Sequence, residues 1–368
     1  MSHIKELVAA NTRFAFKLFA EIAKQEAGKN IFISPSSIAM ALTMTYNGAN
    51  GETREAMAKT LELAEMGLHD VNQANAKLRE ELEHLDPQVK LAIANSLWAK
   101  HGESFNPKFV QRAADYYDAK VANFGASDAE LINGWGSNKT NGKIKELVTE
   151  NDLAITVLML INAIYFKGNW TQQFDKSNTR ARPFTLQSGR KKQHPMMSQS
   201  GDYRYLPGKG FQAISLPYGS SQVSLYIFLP GPDSSLEELQ KSLTSKNWER
   251  WMSQFQEIPG DIVLPRFKVE YSVSLNNALK ALDMQVAFEE RADFEEMCPG
   301  VFIGEVRHKT FVEVNEEGAE AAAATVVMML KAMPAETFTM IVDRPFFCAI
   351  RDNATGTMLF MGSIVDPQ

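Results

Sequence analysis

Residues 155–166 constrain the fold most: the stretch is nearly continuous apolar sequence, broken by Asn162. It falls short of the ~20 apolar residues that span a bilayer. So short and so apolar a run reads as a strand covered on both faces. Asn162 in its middle then needs a buried hydrogen-bond partner. His308 likewise interrupts an apolar strand, expected over 301–313. A structural hydrogen bond is a simpler reading of it than acid–base catalysis, which requires correctly placed partners.

The first 150 residues read mostly as helices. Phe14, Leu18 and Ile22 lie four apart with Ala15 and Phe19 beside them, one face of an amphipathic helix. Ser34-Pro35-Ser36-Ser37 precedes 38–46, so a serine or the proline starts that helix. Further helices are expected from Glu52, over 70–84, 107–118 and 131–138, with a strand over 89–99. Beyond 150 the period shifts towards two, with strands expected near 182–186, 203–206, 212–217, 222–229, 260–269, 301–313, 337–342, 346–351 and 357–365. Helices return near 234–242, 246–255 and 271–283. With no repeat and no linker, this predicts one α+β body with more than one sheet.

A net charge of −6 argues against a general nucleic-acid or anionic-membrane binder, which needs a basic face. Arg190, Lys191 and Lys192 form at most a small patch. Two cysteines, Cys298 and Cys348, cannot make a disulfide framework or a four-thiolate metal site. No run is long enough to span a bilayer, and residues 1–24 lack the basic-then-apolar order of a signal peptide. The expectation is a cytoplasmic chain, or a secreted one whose leader is gone. No zinc-protease, dithiol, nucleophile-elbow or phosphate-loop motif is present, which argues against an enzyme and calls for no cofactor or metal. Ser188-Gly189-Arg190-Lys191 matches a Ser-x-x-Lys pattern, but in a polar turn without companion motifs.

The most informative segment is Glu316-Glu317-Gly318-Ala319-Glu320-Ala321-Ala322-Ala323-Ala324-Thr325-Val326-Val327. Local propensity favours a helix, since alanine is the best helix former. Read with a period of two, Ala319, Ala321, Ala323, Thr325 and Val327 share one face and Glu320 takes the other. Small residues at alternate positions suit a strand that slides between two existing strands. Gly318 supplies backbone freedom where such a segment would bend, and no proline intervenes before Pro334. A stretch compatible with both a loose loop and a central strand suggests a switch.

This segment resembles the reactive-loop hinge of the serpins, the serine protease inhibitor superfamily, and the resemblance covers nearly the whole chain. Asn30-Ile31-Phe32-Ile33-Ser34-Pro35-Ser36-Ser37-Ile38 is similar to the family's early motif, and Asn162-Ala163-Ile164-Tyr165-Phe166-Lys167-Gly168-Asn169-Trp170, then Phe174, to its central-strand motif. Leu264-Pro265-Arg266-Phe267-Lys268, His308-Lys309-Thr310, Asp343-Arg344-Pro345-Phe346-Phe347 and Gly356-Thr357-Met358-Leu359-Phe360-Met361-Gly362 also match. The resemblance implies one serpin domain over 1–368, with three β-sheets, about eight or nine helices and an exposed reactive loop at about 316–342. It implies a metastable suicide substrate. A protease attacks the loop and forms an acyl-enzyme, the cut loop inserts into the main sheet, and the ester is trapped.

By motif match, Ser34, Ser36, Asn162 and His308 correspond to the shutter, a polar cluster beneath the main sheet, and Lys167, Trp170 and Glu316 to the breach where insertion begins. The hinge is Glu316 to Thr325 as quoted above. Family spacing puts the reactive bond at Ala332-Met333, seventeen residues from Glu316 counted inclusively, with Lys331 as an alternative. Ala332 suits elastase-like or subtilisin-like serine proteases, Lys331 trypsin-like and Met333 chymotrypsin-like ones; a cysteine protease is a further candidate. A monomer able to polymerise by loop insertion is expected. The alternative is a non-inhibitory carrier, storage protein or chaperone, although such members usually spoil the hinge. Three departures stand out: Ala319 where many inhibitory members have threonine, Asp283 where glycine is usual, expected to alter only a local turn, and Gly136 where a β-branched residue is common, expected to loosen its helix.

Overall fold

Alternation along the strands decides which residues face which layer. The structure, a computed structural model, describes residues 2–318 and 336–368. In chain order its strands are β1 (Ile31–Ile33), β2 (Val89–Lys100), β3 (Lys120–Phe124), β4 (Leu158–Gly168), β5 (Arg180–Thr185), β6 (Lys191–Gly208), β7 (Phe211–Tyr218), β8 (Val223–Pro230), β9 (Gln256–Pro265), β10 (Phe267–Ser274), β11 (Glu305–Val314), β12 (Phe338–Ile341), β13 (Phe346–Asp352) and β14 (Met358–Ile364). Among the described residues, hydrogen bonding joins them into a five-stranded sheet, β10-β11-β4-β2-β3, and a nine-stranded one, β1-β14-β13-β8-β7-β6-β9-β12 with β5 on β6.

The α+β class is as expected. Where three sheets were implied, two appear among the described residues, because β6 is 18 residues long. Its first part pairs with β5, its last with β7, and β9 runs along most of its length, so one unbroken strand fuses two sheets. The short strand expected at 203–206 is the end of β6. The helix expected over 271–283 is also corrected. β10 continues to Ser274, with Phe267, Val269 and Tyr271 buried in alternation, and helix resumes only at Asn276–Leu279. Ten α-helical segments are present among the described residues, the shortest, Asn276–Leu279, a single turn long.

The five-stranded sheet is covered on both sides. Leu158, Leu160, Ile164 and Phe166 of β4 join the main core with the helices Ser2–Gln25 and Pro35–Tyr46. Met159, Ile161, Ala163 and Tyr165 pack outward against Ile132 of the helix Ala129–Lys139 and Ile144, Leu147, Val148 and Leu153 beyond it. Gly136 is not a loose spot: a side chain there would collide with Leu147, whose Cδ1 lies 2.1 Å from the Cβ position. Asp283 occupies a left-handed conformation (φ 72°) that favours glycine. Its carboxylate is 2.8 Å from Lys59. Cys298 and Cys348 are buried free thiols. No described helix is long and apolar enough to cross a membrane.

Candidate functional site

The seam between β4 and β11 is the one parallel contact in the middle of its sheet. β10–β11 and β4–β2 are antiparallel, and the other parallel pair, β2–β3, lies at the edge. Register runs from Glu305 opposite Met159 to Phe311 opposite Tyr165 and stops there. Val312–Val314 on one strand and Phe166–Gly168 on the other continue without pairing to each other. The sheet is therefore already parted at one end.

Halfway along the seam lies a row of polar side chains. His308 is opposite Asn162, and Asn162 opposite Asn95 of β2. All three face inward, where the helix Pro35–Tyr46 begins with proline in its first turn. The Ser34 N–H donates to His308 Nε2 at 3.0 Å, so Nδ1 carries the proton and donates to Asn162 Oδ1 at 2.6 Å. Asn162 Nδ2 donates to Asn95 Oδ1 and to the Ser37 hydroxyl. Thr310 donates to the Phe32 carbonyl at 2.6 Å. Burial lowers the His308 pKa to about 3. Both ring nitrogens are engaged and the residue is wholly buried, so no nitrogen faces a substrate.

Ser34, Asn162 and His308 are thus brought together, with Ser34 acting through its backbone. Ser36 is nearby, but its hydroxyl and that of Ser34 are buried without a hydrogen-bond partner among the described residues. Sequence reasoning missed Ser37 and Asn95. Ser37 stood within the quoted early motif, and Asn95 interrupts an apolar strand just as Asn162 does.

At the parted end, the chain leaving β11 folds over the continuation of β4. The Trp170 indole donates to the Asn315 carbonyl at 2.8 Å, the Phe174 N–H to the Glu316 carbonyl at 2.9 Å, and the Trp170 N–H to that of Glu317 at 3.3 Å. Trp170 is fixed by stacking on Tyr218, 4.2 Å between ring centres. Gly318 has φ 77°, and a Cβ there would lie 2.4 Å from the Trp170 nitrogen and 2.5 Å from the Gly168 oxygen, so only glycine fits. The Glu316 side chain is buried and accepts from Arg266 Nε at 2.7 Å and from Thr179 Oγ1 at 2.6 Å. Burial alone would raise the carboxyl's pKa, but the hydrogen bonds and charge of Arg266, with the Thr179 hydroxyl, hold it below the ordinary carboxylate range. Lys176 pairs with Glu317. Lys167 is half-buried at the same end, opposite Lys90 of β2. Arg266, at the joint between β9 and β10, lies within the Leu264–Lys268 motif, and Thr179 carries no signal in the sequence. Ala319, Glu320, Ala321, Ala322, Ala323, Ala324, Thr325, Lys331, Ala332 and Met333 lie outside the described residues.

Sheet, seam and anchored strand exit define the fold, and the comparisons give its family. A family model described as serpin (serine protease inhibitor) matches residues 9–367. The chain belongs to the serpin family. It is 35% identical to human leukocyte elastase inhibitor over 383 residues, 99% of this chain and 100% of that protein. To serpin B6 of Macaca fascicularis it is 35% identical over 374 residues, 98% of this chain and 99% of the relative. Among solved structures, it superimposes on the thermophilic serpin tengpin in its native state with a TM-score of 0.89 at 31% identity, covering 97% of this chain and 94% of that one. Uncleaved ovalbumin matches with a TM-score of 0.87 at 26% identity over 98% of this chain and all of the other.

Proposed function

We propose that this chain inhibits serine proteases as a suicide substrate whose cut loop becomes a strand between β4 and β11. The observation that carries the reading is the polarity of the seam. β4 and β11 run parallel, and the chain emerges from β11 at the end where they are parted. A segment running back from Gly318 is antiparallel to both neighbours, so its entry replaces one parallel ladder by two antiparallel ones. Small residues at alternate positions from Ala319 keep that path free of bulk. About ten inserted residues gain ladder bonds worth ~5–15 kcal/mol net, at about 0.5–1.5 kcal/mol each. The uncut chain is then a kinetic trap.

Length supports the same reading. β4 has eleven residues, so a matching strand uses 319–329 and leaves Ala332 beyond its far end. Scission at Ala332-Met333, or one residue earlier after Lys331, frees the segment for insertion and carries the attached protease to the opposite pole. In this reading Ser34, Ser36, Asn162 and His308 close the seam, while Lys167, Trp170 and Glu316 mark where insertion starts. The protein is expected to be a monomer that polymerises when another copy's loop enters the seam. Titration with pancreatic elastase, subtilisin, trypsin, chymotrypsin and papain tests it: a covalent complex should survive denaturant. Ala319→Arg should convert inhibitor to substrate, because insertion would bury an unpaired charge. Complexes at the normal yield from this variant would refute insertion.

A further inference from the structure

The outer face of the seam is crossed by a strap, residues 140–157, and the way it is tied is informative. It arrives from the helix Ala129–Lys139, which packs over β2 and β3: Ile132 clusters with Phe124 and Trp98, and Trp135 meets Trp98 edge-on at 6.1 Å. It departs directly into β4. Both ends of the strap therefore belong to the β2–β4 side of the seam. Its middle is bound to the other side. Lys309 of β11 donates to the Glu146 carbonyl at 2.8 Å, and Arg307 of β11 to the Leu147 carbonyl at 3.3 Å.

The strongest tie is Arg307 to Asp152, a two-pronged pair at 3.0 and 3.1 Å. Each side chain is only about a quarter exposed, at 22% and 24%. Asp152 cannot readily follow Arg307. Its carboxylate also closes a capping box with Thr149 at the start of the helix Glu150–Ile155, and Leu153 beside it is buried in the outer cluster. Glu305, 3.3 Å from Arg307 on its own strand, orients the guanidinium without crossing the seam.

We propose that the Arg307–Asp152 pair is a clasp that sets the rate at which the β4–β11 seam opens. Admitting one strand separates its neighbours by a further ~4.8 Å. The strap cannot keep its apolar contacts on β4 and its polar contacts on β11 through that movement. A forked charge pair with defined geometry is the directional part of what must break. The inference rests on the insertion reading for its purpose, but seam opening can be measured without a protease.

The test is amide hydrogen exchange of the intact protein, read on peptides covering β4 and β11, for wild type, Arg307→Met, Arg307→Lys, Asp152→Asn and the Arg307→Met/Asp152→Asn double variant. Removing either partner should speed exchange at the seam about three- to tenfold while the helix Ser2–Gln25 stays unchanged. Arg307→Lys, which keeps the charge but loses the fork, should fall between, and the double variant should add little to either single one. Seam exchange equal to wild type, acceleration spread equally over the N-terminal helix, or additive effects of the two substitutions would each overturn the clasp. Complex yields with trypsin, chymotrypsin, elastase and subtilisin separate the two ideas. Faster seam opening without any trapped protease, in wild type or variants, leaves the clasp standing and removes the inhibitor reading.

Discussion

Lowering the pH should unlock the seam through His308. The neutral ring uses one nitrogen as acceptor, from the Ser34 N–H, and one as donor, to Asn162 across the seam. A second proton would set an imidazolium N–H against the Ser34 N–H, and burial drives the pKa down to about 3 from 6.5. Because the folded value is the lower one, the unfolded or opened state takes up the proton first. The stability that His308 confers is whole above about pH 6.5 and is lost as pH falls towards 3. At 1.36 kcal/mol per unit this comes to about 2 kcal/mol between pH 7 and 5 and about 4 kcal/mol by pH 3, where the folded state itself begins to take up the proton. An opening that exposes His308 becomes about thirty times more favourable at pH 5. Urea-induced loss of the native state, followed by tryptophan fluorescence at pH 7, 6 and 5, measures this against His308→Gln, whose amide keeps one donor and one acceptor but does not titrate. Wild type should lose about 2 kcal/mol more than the variant over that range. Parallel pH dependence of the two proteins would refute the latch reasoning, because other titrating groups cancel in the comparison.

Two further substitutions probe the parted end of the seam and the packing of the strap. Glu316→Gln should destabilise the native state by about 1–3 kcal/mol, towards the lower end because Arg266 is 43% exposed. Since the Glu316 pKa is depressed, its contribution is present above the ordinary glutamate value and fades as pH falls through the folded one. The difference between wild type and variant should shrink in acid, and a gap constant down to pH 3 would argue against an ionised Glu316. Gly136→Val, which restores the family's usual β-branched residue, should cost about 1–3 kcal/mol in a thermal melt because Leu147 already fills the space. An unchanged or raised Tm would show that the strap repacks freely.

What could be read from the chain follows from how far each signal reaches. The run over 155–166 announced a strand covered on both faces; Asn162 and His308, stranded in apolar sequence, each called for a buried partner, and only the motif match grouped them. Which serine meets Asn162 was not legible. The helix starts at Pro35, successive side chains are turned by about 100°, and that phase brings the Ser37 hydroxyl, not that of Ser36, to the asparagine. β6 escaped because residues 191–195 are largely polar, and a strand near a sheet edge needs little apolar patterning once its neighbours supply the ladder. β10 escaped for the opposite reason: its clean alternation runs straight into a helical stretch, so no local signal marks its end at Ser274. The clasp lay furthest from sight. Arg307 and Asp152 are 155 residues apart, and each alone reads as an ordinary surface charge. The topology gives the pair its meaning: both ends of the strap belong to one side of the seam and its middle is tied to the other, so a single ion pair resists a movement of whole strands.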